Sequence, residues 1–137
     1  LLTGSEGASR YHVYGYLDAF SMKLVAEIST IVISRAGSAI FEISAWNLPA
    51  ILIPITNSNA DHQRKDAFAY ARAGGANVIE ETNLSPNILM AEIERLMGDT
   101  ARRNEMKESA KKFTRTDAAE KIAEQITMVL MRHQSLP

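Results

Sequence analysis

Two short runs, "TIVIS" (residues 30–34) and "AILIPI" (residues 50–55), constrain the fold more than any other feature of the chain. Each is rich in β-branched residues and is apolar at consecutive positions. A strand with one face in water alternates between apolar and polar residues. A strand with no polar face must be covered on both sides, which is the place of an inner strand in a parallel sheet packed between helices. Pro54, which cannot donate to a ladder, closes the second run. The residues around these runs follow a different period. Phe20, Leu24, Val25 and Ile28 make a helical stripe over residues 19–28, and residues 38–46 and 61–73 read as further helices. "NVIE", residues 77–80, is a third short strand. This alternation predicts an α/β fold, a parallel sheet flanked by helices.

Terminal signals sharpen several boundaries. Asn59 or Asp61 is placed to cap the helix over residues 61–73, and Gly74-Gly75 to end it. Ser85 is an N-cap with Pro86 at the first helical position, and the apolar residues at 88, 89, 93, 96 and 97 share one face. Asp99 caps a helix to about residue 113, and Asp117 with Glu120 has capping-box spacing ahead of a last helix. That helix carries Ile122, Ile126, Val129 and Leu130 on one side. Trp46 reads as helix–sheet packing. The start is irregular: "LLTGSEGAS" resembles a strand feeding a glycine-rich turn, yet no helix follows, and residues 11–14 read as another short strand. The sheet is therefore expected to be incomplete at its start, with residues 1–9 a remnant and residues 10–137 one domain.

Composition removes several classes of function. With 46% hydrophobic residues the chain can build a core, and a net charge of −1 gives no field that would gather nucleic acid. Absence of cysteine excludes disulfides and thiolate metal sites. No apolar run approaches the roughly 18–20 residues of a membrane span, and the first residues lack a signal-peptide pattern, so an intracellular, soluble protein is expected. The basic stretch "RRNEMKESAKKFTR" reads as a solvated helix face.

Open α/β sheets bind ligands beyond the carboxyl ends of their strands. Four turns fall there, at residues 4–9, 15–18, 34–38 and 56–63. In the third, Ala36 and Gly37 lack bulk, and Ser38 opens a helix whose free amides suit an anion such as phosphate. The same small residues also serve an ordinary strand-to-helix connection. Glu42 follows within the first turns of that helix. A carboxylate is poorly placed on the phosphate itself, but its oxygens can accept hydrogen bonds from a vicinal diol about one ribose away. A solvated helical glutamate is the plain alternative. After the second strand, "TNSNADHQRK" supplies Asn57, Asn59, Asp61, His62 and Gln63, side chains able to read sugar hydroxyls, and His62 also admits a general-base role. His12 and His133 stand at no helpful spacing for a metal site. Nucleophile-elbow, Walker and zinc-protease motifs are absent.

Taken together, "ISRAG", an acid a turn later, "LPAILIP" and "DHQRKDAFAYARAGGANVI" resemble the C-terminal, donor-binding domain of the MurG family, the bacterial N-acetylglucosaminyltransferases of glycosyltransferase family 28. The resemblance covers roughly residues 11–129. It implies a Rossmann-like domain, the C-terminal half of a GT-B glycosyltransferase. Family members move N-acetylglucosamine from UDP-N-acetylglucosamine to the 4-hydroxyl of a lipid-linked muramyl-pentapeptide, inverting the anomeric centre, in peptidoglycan synthesis. By position, it places the diphosphate on Gly37, Ser38, Ala39 and Ile40 with Arg35 in the same turn, and the ribose on Glu42. Tyr16 and Leu17 would read uracil with Phe20 packed nearby, and His62, Gln63 and Asp66 would face the sugar and diphosphate. Gly4, Ser5 and Gly7 of "TGSEGA" correspond to a glycine turn facing the donor across the cleft.

The resemblance also implies no cofactor, no metal and no catalytic residue in this chain. The base, the lipid-acceptor site and the membrane-contacting patch lie in the family's N-terminal domain, which nothing here matches. The expected setting is cytoplasmic, peripheral at the inner face of the membrane, with no membrane contact through this chain. The sequence departs from the family in several places. "TGSEGA" is one glycine short with Glu6 in place of glutamine. Gly37 to Glu42 is one residue tighter than in many members, and Asp66 replaces asparagine. Two other functions fit the same residues: the donor half of another UDP-sugar transferase or epimerase, such as a glycolipid glucosyltransferase, or a non-catalytic α/β module that packs on a partner.

Overall fold

A computed structural model describes residues 10–56, 61–114 and 118–134. Its centre is a parallel sheet of three short strands, β1 (Val32–Ser34), β2 (Ala50–Leu52) and β3 (Ala76–Val78), in that spatial order. The register sets Ile51 of β2 between Ile33 and Asn77. β2, the inner strand, is buried along its whole length, as its unbroken apolar run requires. Alternate residues leave on opposite faces. Ala50 and Leu52 join a core with Ala36, Ile40, Ile43, Ala67 and Tyr70. Ile51 and Ile53 join a second core with Ile79, Leu96 and Met106. Both faces of the sheet are therefore covered, by α2 (Ala39–Ala45) and α3 (His62–Arg72) on one side and by α4 (Pro86–Gly98) on the other, while α5 (Thr100–Phe113) contributes Ala110 to the first core and Met106 to the second.

The helix ends follow their local chemistry. α1 (Ala19–Ile28) starts at Asp18, whose carboxylate accepts the Ser21 amide at 2.8 Å. α4 starts at Ser85 with Pro86 behind it, and α5 at Asp99, whose carboxylate accepts the Arg102 amide. α2 and α3 end alike. In α2 the amides of Asn47 and Leu48 return to the carbonyls of Ser44 and Ile43; in α3 those of Gly74 and Gly75 return to Ala71 and Tyr70. Both are Schellman motifs, with Asn47 (φ 55°) and Gly74 (φ 92°) in the left-handed position that the motif needs. A short 3-10 turn, Glu81–Asn83, follows β3. Trp46 packs against the first core as expected.

Three expectations need comment. Residues 11–14 are not a strand: among the described residues they have no ladder partner, and Tyr11, Val13 and Tyr14 are exposed. Apolar alternation supplied the pattern, but a strand also needs a neighbour to accept its hydrogen bonds. Asp61 sits at the α3 N-cap position with φ 59° and makes no cap hydrogen bond; its carboxylate lies 3.5 Å from Arg64 instead. Asp117, the expected cap of α6 (Ala118–Gln134), lies outside the described residues. Ile122, Ile126, Val129 and Leu130 of α6 are exposed, as is Ile33 of the edge strand β1. Among the described residues no helix is long and apolar enough to cross a membrane.

Candidate functional site

The carboxyl ends of the three strands open to one side, and most of the expected site residues gather there. At the end of β1, Ala36 is fully buried while Gly37 and Ser38 rise to the surface. A methyl group built on Gly37 would meet nothing within 4 Å, so the main chain at this turn is open to a ligand. Among the described residues no acceptor takes the amides of Gly37 or Ser38, and Ser38 makes no cap hydrogen bond of its own. The amides of Ile40 and Phe41 are already used, by the carbonyls of Gly37 and Ser38. The turn thus offers Gly37 and Ser38 main chain, not the whole run to Ile40, whose side chain is in the core.

Glu42 lies four residues beyond Ser38, one helical turn on, and both are exposed while Ile40 and Ile43 are buried. Residues at this spacing share a helix face. Glu42 is therefore on the open side of α2, about 6 Å along the axis from the Ser38 position.

Asp66 is brought to the same place from α3. It lines a small cleft of about 50 Å³ with Gly37, Ile40 and Phe41. His62, the first residue of α3, is exposed. Gln63 turns back, and its side-chain oxygen accepts the Ile55 amide at 3.1 Å. Tyr16 and Phe20 are exposed and Leu17 half-buried, and no described hydrogen bond or ring contact ties them to the Ser34–Ser38 turn. Gly4, Ser5 and Gly7, together with Asn57 and Asn59, lie outside the described residues.

Among the described residues the Arg35 guanidinium has two partners. Its guanidinium lies 2.7 Å from Glu81 and donates to the Ile53 carbonyl at 3.2 Å. The other oxygen of Glu81 accepts both the amide (3.1 Å) and the hydroxyl (2.8 Å) of Thr56. The Thr56 amide and hydroxyl, followed by Arg35, hold the Glu81 carboxyl below the usual glutamate range. Next to it, Glu80 accepts from Arg64 at 2.6 Å, which raises the arginine's pKa. The exits of β1, β2 and β3 are thus joined by side chains around a cleft of about 210 Å³ that includes Ile55, Thr56, Arg64 and Glu81.

Thr56 and Glu81 were not among the residues singled out from sequence. The available signal was an acid just past the carboxyl end of a strand, the same argument that selected the other turns. A larger cleft of about 590 Å³ runs along β3 and α4 and takes in none of the expected site residues. No group of three or more His, Asp or Glu suited to a metal ion occurs among the described residues.

The chain is similar to known proteins over most of its length. A protein of Listeria monocytogenes serovar 1/2a, named UDP-N-acetylglucosamine–N-acetylmuramyl-(pentapeptide) pyrophosphoryl-undecaprenol N-acetylglucosamine transferase, is 37% identical over 112 residues, 81% of this chain and 31% of that protein. Proteins of the same name from Lactobacillus johnsonii and Oenococcus oeni are 34% and 35% identical over 88% and 90% of the chain, and 32% and 33% of their own lengths. The chain spans about a third of the length of these curated relatives. Residues 3–122 match the model of the glycosyltransferase family 28 C-terminal domain, and the chain belongs to that family.

Proposed function

We propose that residues 10–137 form the donor-binding half of an inverting glycosyltransferase that moves N-acetylglucosamine from UDP-N-acetylglucosamine to a lipid-linked muramyl-pentapeptide. What carries this reading is the match of four-fifths or more of the chain to proteins bearing that name. The open Gly37 turn, with Glu42 one turn further on the same exposed face, supports it. In the reaction the bond from the anomeric carbon to the diphosphate breaks as the acceptor hydroxyl attacks from the opposite face, and UDP leaves with the negative charge. The Gly37 and Ser38 amides meet that charge, Glu42 fixes the ribose through its two hydroxyls, and Tyr16 and Leu17 frame the uracil. The work of this half is positioning and leaving-group stabilisation. The base and the lipid acceptor belong to a partner domain, which also makes the peripheral contact with the cytoplasmic face of the membrane.

The test is calorimetry of this chain with UDP and with thymidine diphosphate. UDP binds, weakly and in preference, and Glu42→Ala lowers its affinity roughly tenfold, the loss expected when hydrogen bonds to a charged group are removed. No uridine preference refutes the reading. Sugar transfer by the isolated chain refutes the division of labour. A second reading, a module that packs on a partner without handling nucleotide, is favoured by the exposed Phe20, Ile28, Ile33 and Phe41. Absence of UDP binding by the unaltered chain would decide for it.

A further inference from the structure

We propose that Glu81 is a positioning residue for the sugar end of the donor: by gripping Thr56 and Arg35 together, it sets the Ile55–Thr56 main chain on which Gln63, and with it the start of α3 at His62, is seated. The inference rests on the donor-binding reading above.

The segment leaving β2 is fixed from three directions within four residues. The Ile53 carbonyl accepts from Arg35, the Ile55 amide donates to Gln63, and the Thr56 amide and hydroxyl donate to Glu81. Arg35 follows β1, Gln63 is in the first turn of α3, and Glu81 follows β3. Glu81 is the member on which two of these arms converge, since it holds Thr56 with one oxygen and Arg35 with the other.

This differs in kind from the surface pairs of α5, Arg102–Glu105 and Lys111–Glu108, which join two long side chains three residues apart on one helix. Those pairs constrain no main chain and are worth little. Glu81 accepts a main-chain amide 25 residues away, so its carboxylate fixes the backbone itself. The phosphate and ribose contacts of Gly37, Ser38 and Glu42 lie on the far side of Arg35, which keeps its bond to the Ile53 carbonyl when Glu81 is removed. Loss of Glu81 therefore loosens Thr56 and, beside it, the Ile55 amide that Gln63 holds, and leaves the nucleotide contacts in place. The expected signature is a loss of selectivity for UDP-N-acetylglucosamine over UDP.

The experiment is calorimetry of the unaltered chain and of Glu81→Ala, Glu81→Gln and Thr56→Val with both ligands, with circular dichroism as a check on folding. Glu81→Ala weakens UDP-N-acetylglucosamine relative to UDP by roughly fivefold or more, the low end of coupling between a positioning group and a site. Glu81→Gln keeps an oxygen for the Thr56 amide and hydroxyl but turns an amide nitrogen to the Arg35 guanidinium, so it restores the ratio in part. Thr56→Val, which loses the hydroxyl bond alone, shifts the ratio in the same direction and serves if Glu81→Ala does not fold. Equal weakening of both ligands, an unchanged ratio, or Glu81→Gln behaving like Glu81→Ala overturns the inference. Failure of the unaltered chain to bind UDP overturns the donor-binding reading and the inference with it. Normal UDP binding that falls in Glu42→Ala but keeps its ratio in the Glu81 variants overturns the inference alone.

Discussion

Replacing Gly75 by alanine tests the packing that holds α3 against the sheet. Its added methyl carbon would lie 2.4 Å from Cε2 and Cζ of Tyr70 and 2.7 Å from the hydroxyl oxygen. Carbon atoms in contact sit about 3.5–4.0 Å apart, so the ring or the strand must give by about 1 Å. The ring has little room. Tyr70 is fully buried, and its centroid is 4.8 Å from that of Phe113. Overpacking of this kind costs about 1–3 kcal/mol, and the confinement argues for the upper half of that range. Against this, alanine restricts the unfolded chain and returns about 0.4–1 kcal/mol, with no backbone penalty because Gly75 is not in the left-handed region. The net loss is about 1–2.6 kcal/mol, or a fall in Tm of roughly 3–9 °C for a domain of this size. Urea denaturation gives the free energy directly. The Tyr70 ring is the one obstacle, so the penalty must shrink when Tyr70→Leu is present, in a double-mutant cycle. A Gly75→Ala chain as stable as the parent, or a penalty that adds in full to that of Tyr70→Leu, would refute it.

Two further predictions concern groups whose surroundings are unusual. The Tyr70 hydroxyl is buried with no hydrogen-bond partner among the described residues, and burial pushes its pKa up to about 12; Tyr70→Phe removes that orphan and raises stability by about 1 kcal/mol in urea denaturation, whereas a loss of that size would mean the hydroxyl has a partner. The Glu81 carboxyl is held low by the Thr56 amide and hydroxyl and by Arg35, so its contribution to stability is complete above the ordinary glutamate value and disappears as pH falls through its own lower value. In an NMR titration the Thr56 amide shift therefore follows a midpoint below that of an ordinary glutamate, and a midpoint at or above it contradicts the hydrogen bonds described.

Much of this fold is legible in local patterns, because the signals that set it are local. The unbroken apolar run of residues 50–53 announces a strand covered on both faces, and β2 is that strand. Asp18, Ser85 and Asp99 mark helix starts because a side-chain oxygen reaches an amide three residues on, whatever the rest of the molecule does. The expectation at residues 11–14 misleads for the complementary reason: periodicity describes one segment, while a strand is a relation between two. The site divides in the same way. Gly37 and Glu42 stand out because a turn and the helix after it are neighbours in sequence. The grip of Glu81 on Arg35 and Thr56 spans separations of 46 and 25 residues and exists only once the three strands lie side by side.

Under the proposed donor-binding function, that grip also bears on how a diphosphate would be held at the strand exits. Arg35 is engaged by Glu81, and Arg64 by Glu80 and Asp61, so the two arginines flanking the exits have their charge met inside the chain. Glu42 and Asp66 add negative charge near Gly37. A diphosphate at this edge would depend on main-chain amides and the start of α2, interactions worth about 0.3–1 kcal/mol each at an exposed helix end. Such a half-site holds a nucleotide weakly and gains strength when a facing surface excludes water and strengthens each of those dipoles. Under that proposal, weak binding by the isolated chain and dependence of transfer on a second domain would have one physical cause: the positioning groups would lie in this chain, and the low-dielectric enclosure that makes them effective would come from a partner surface.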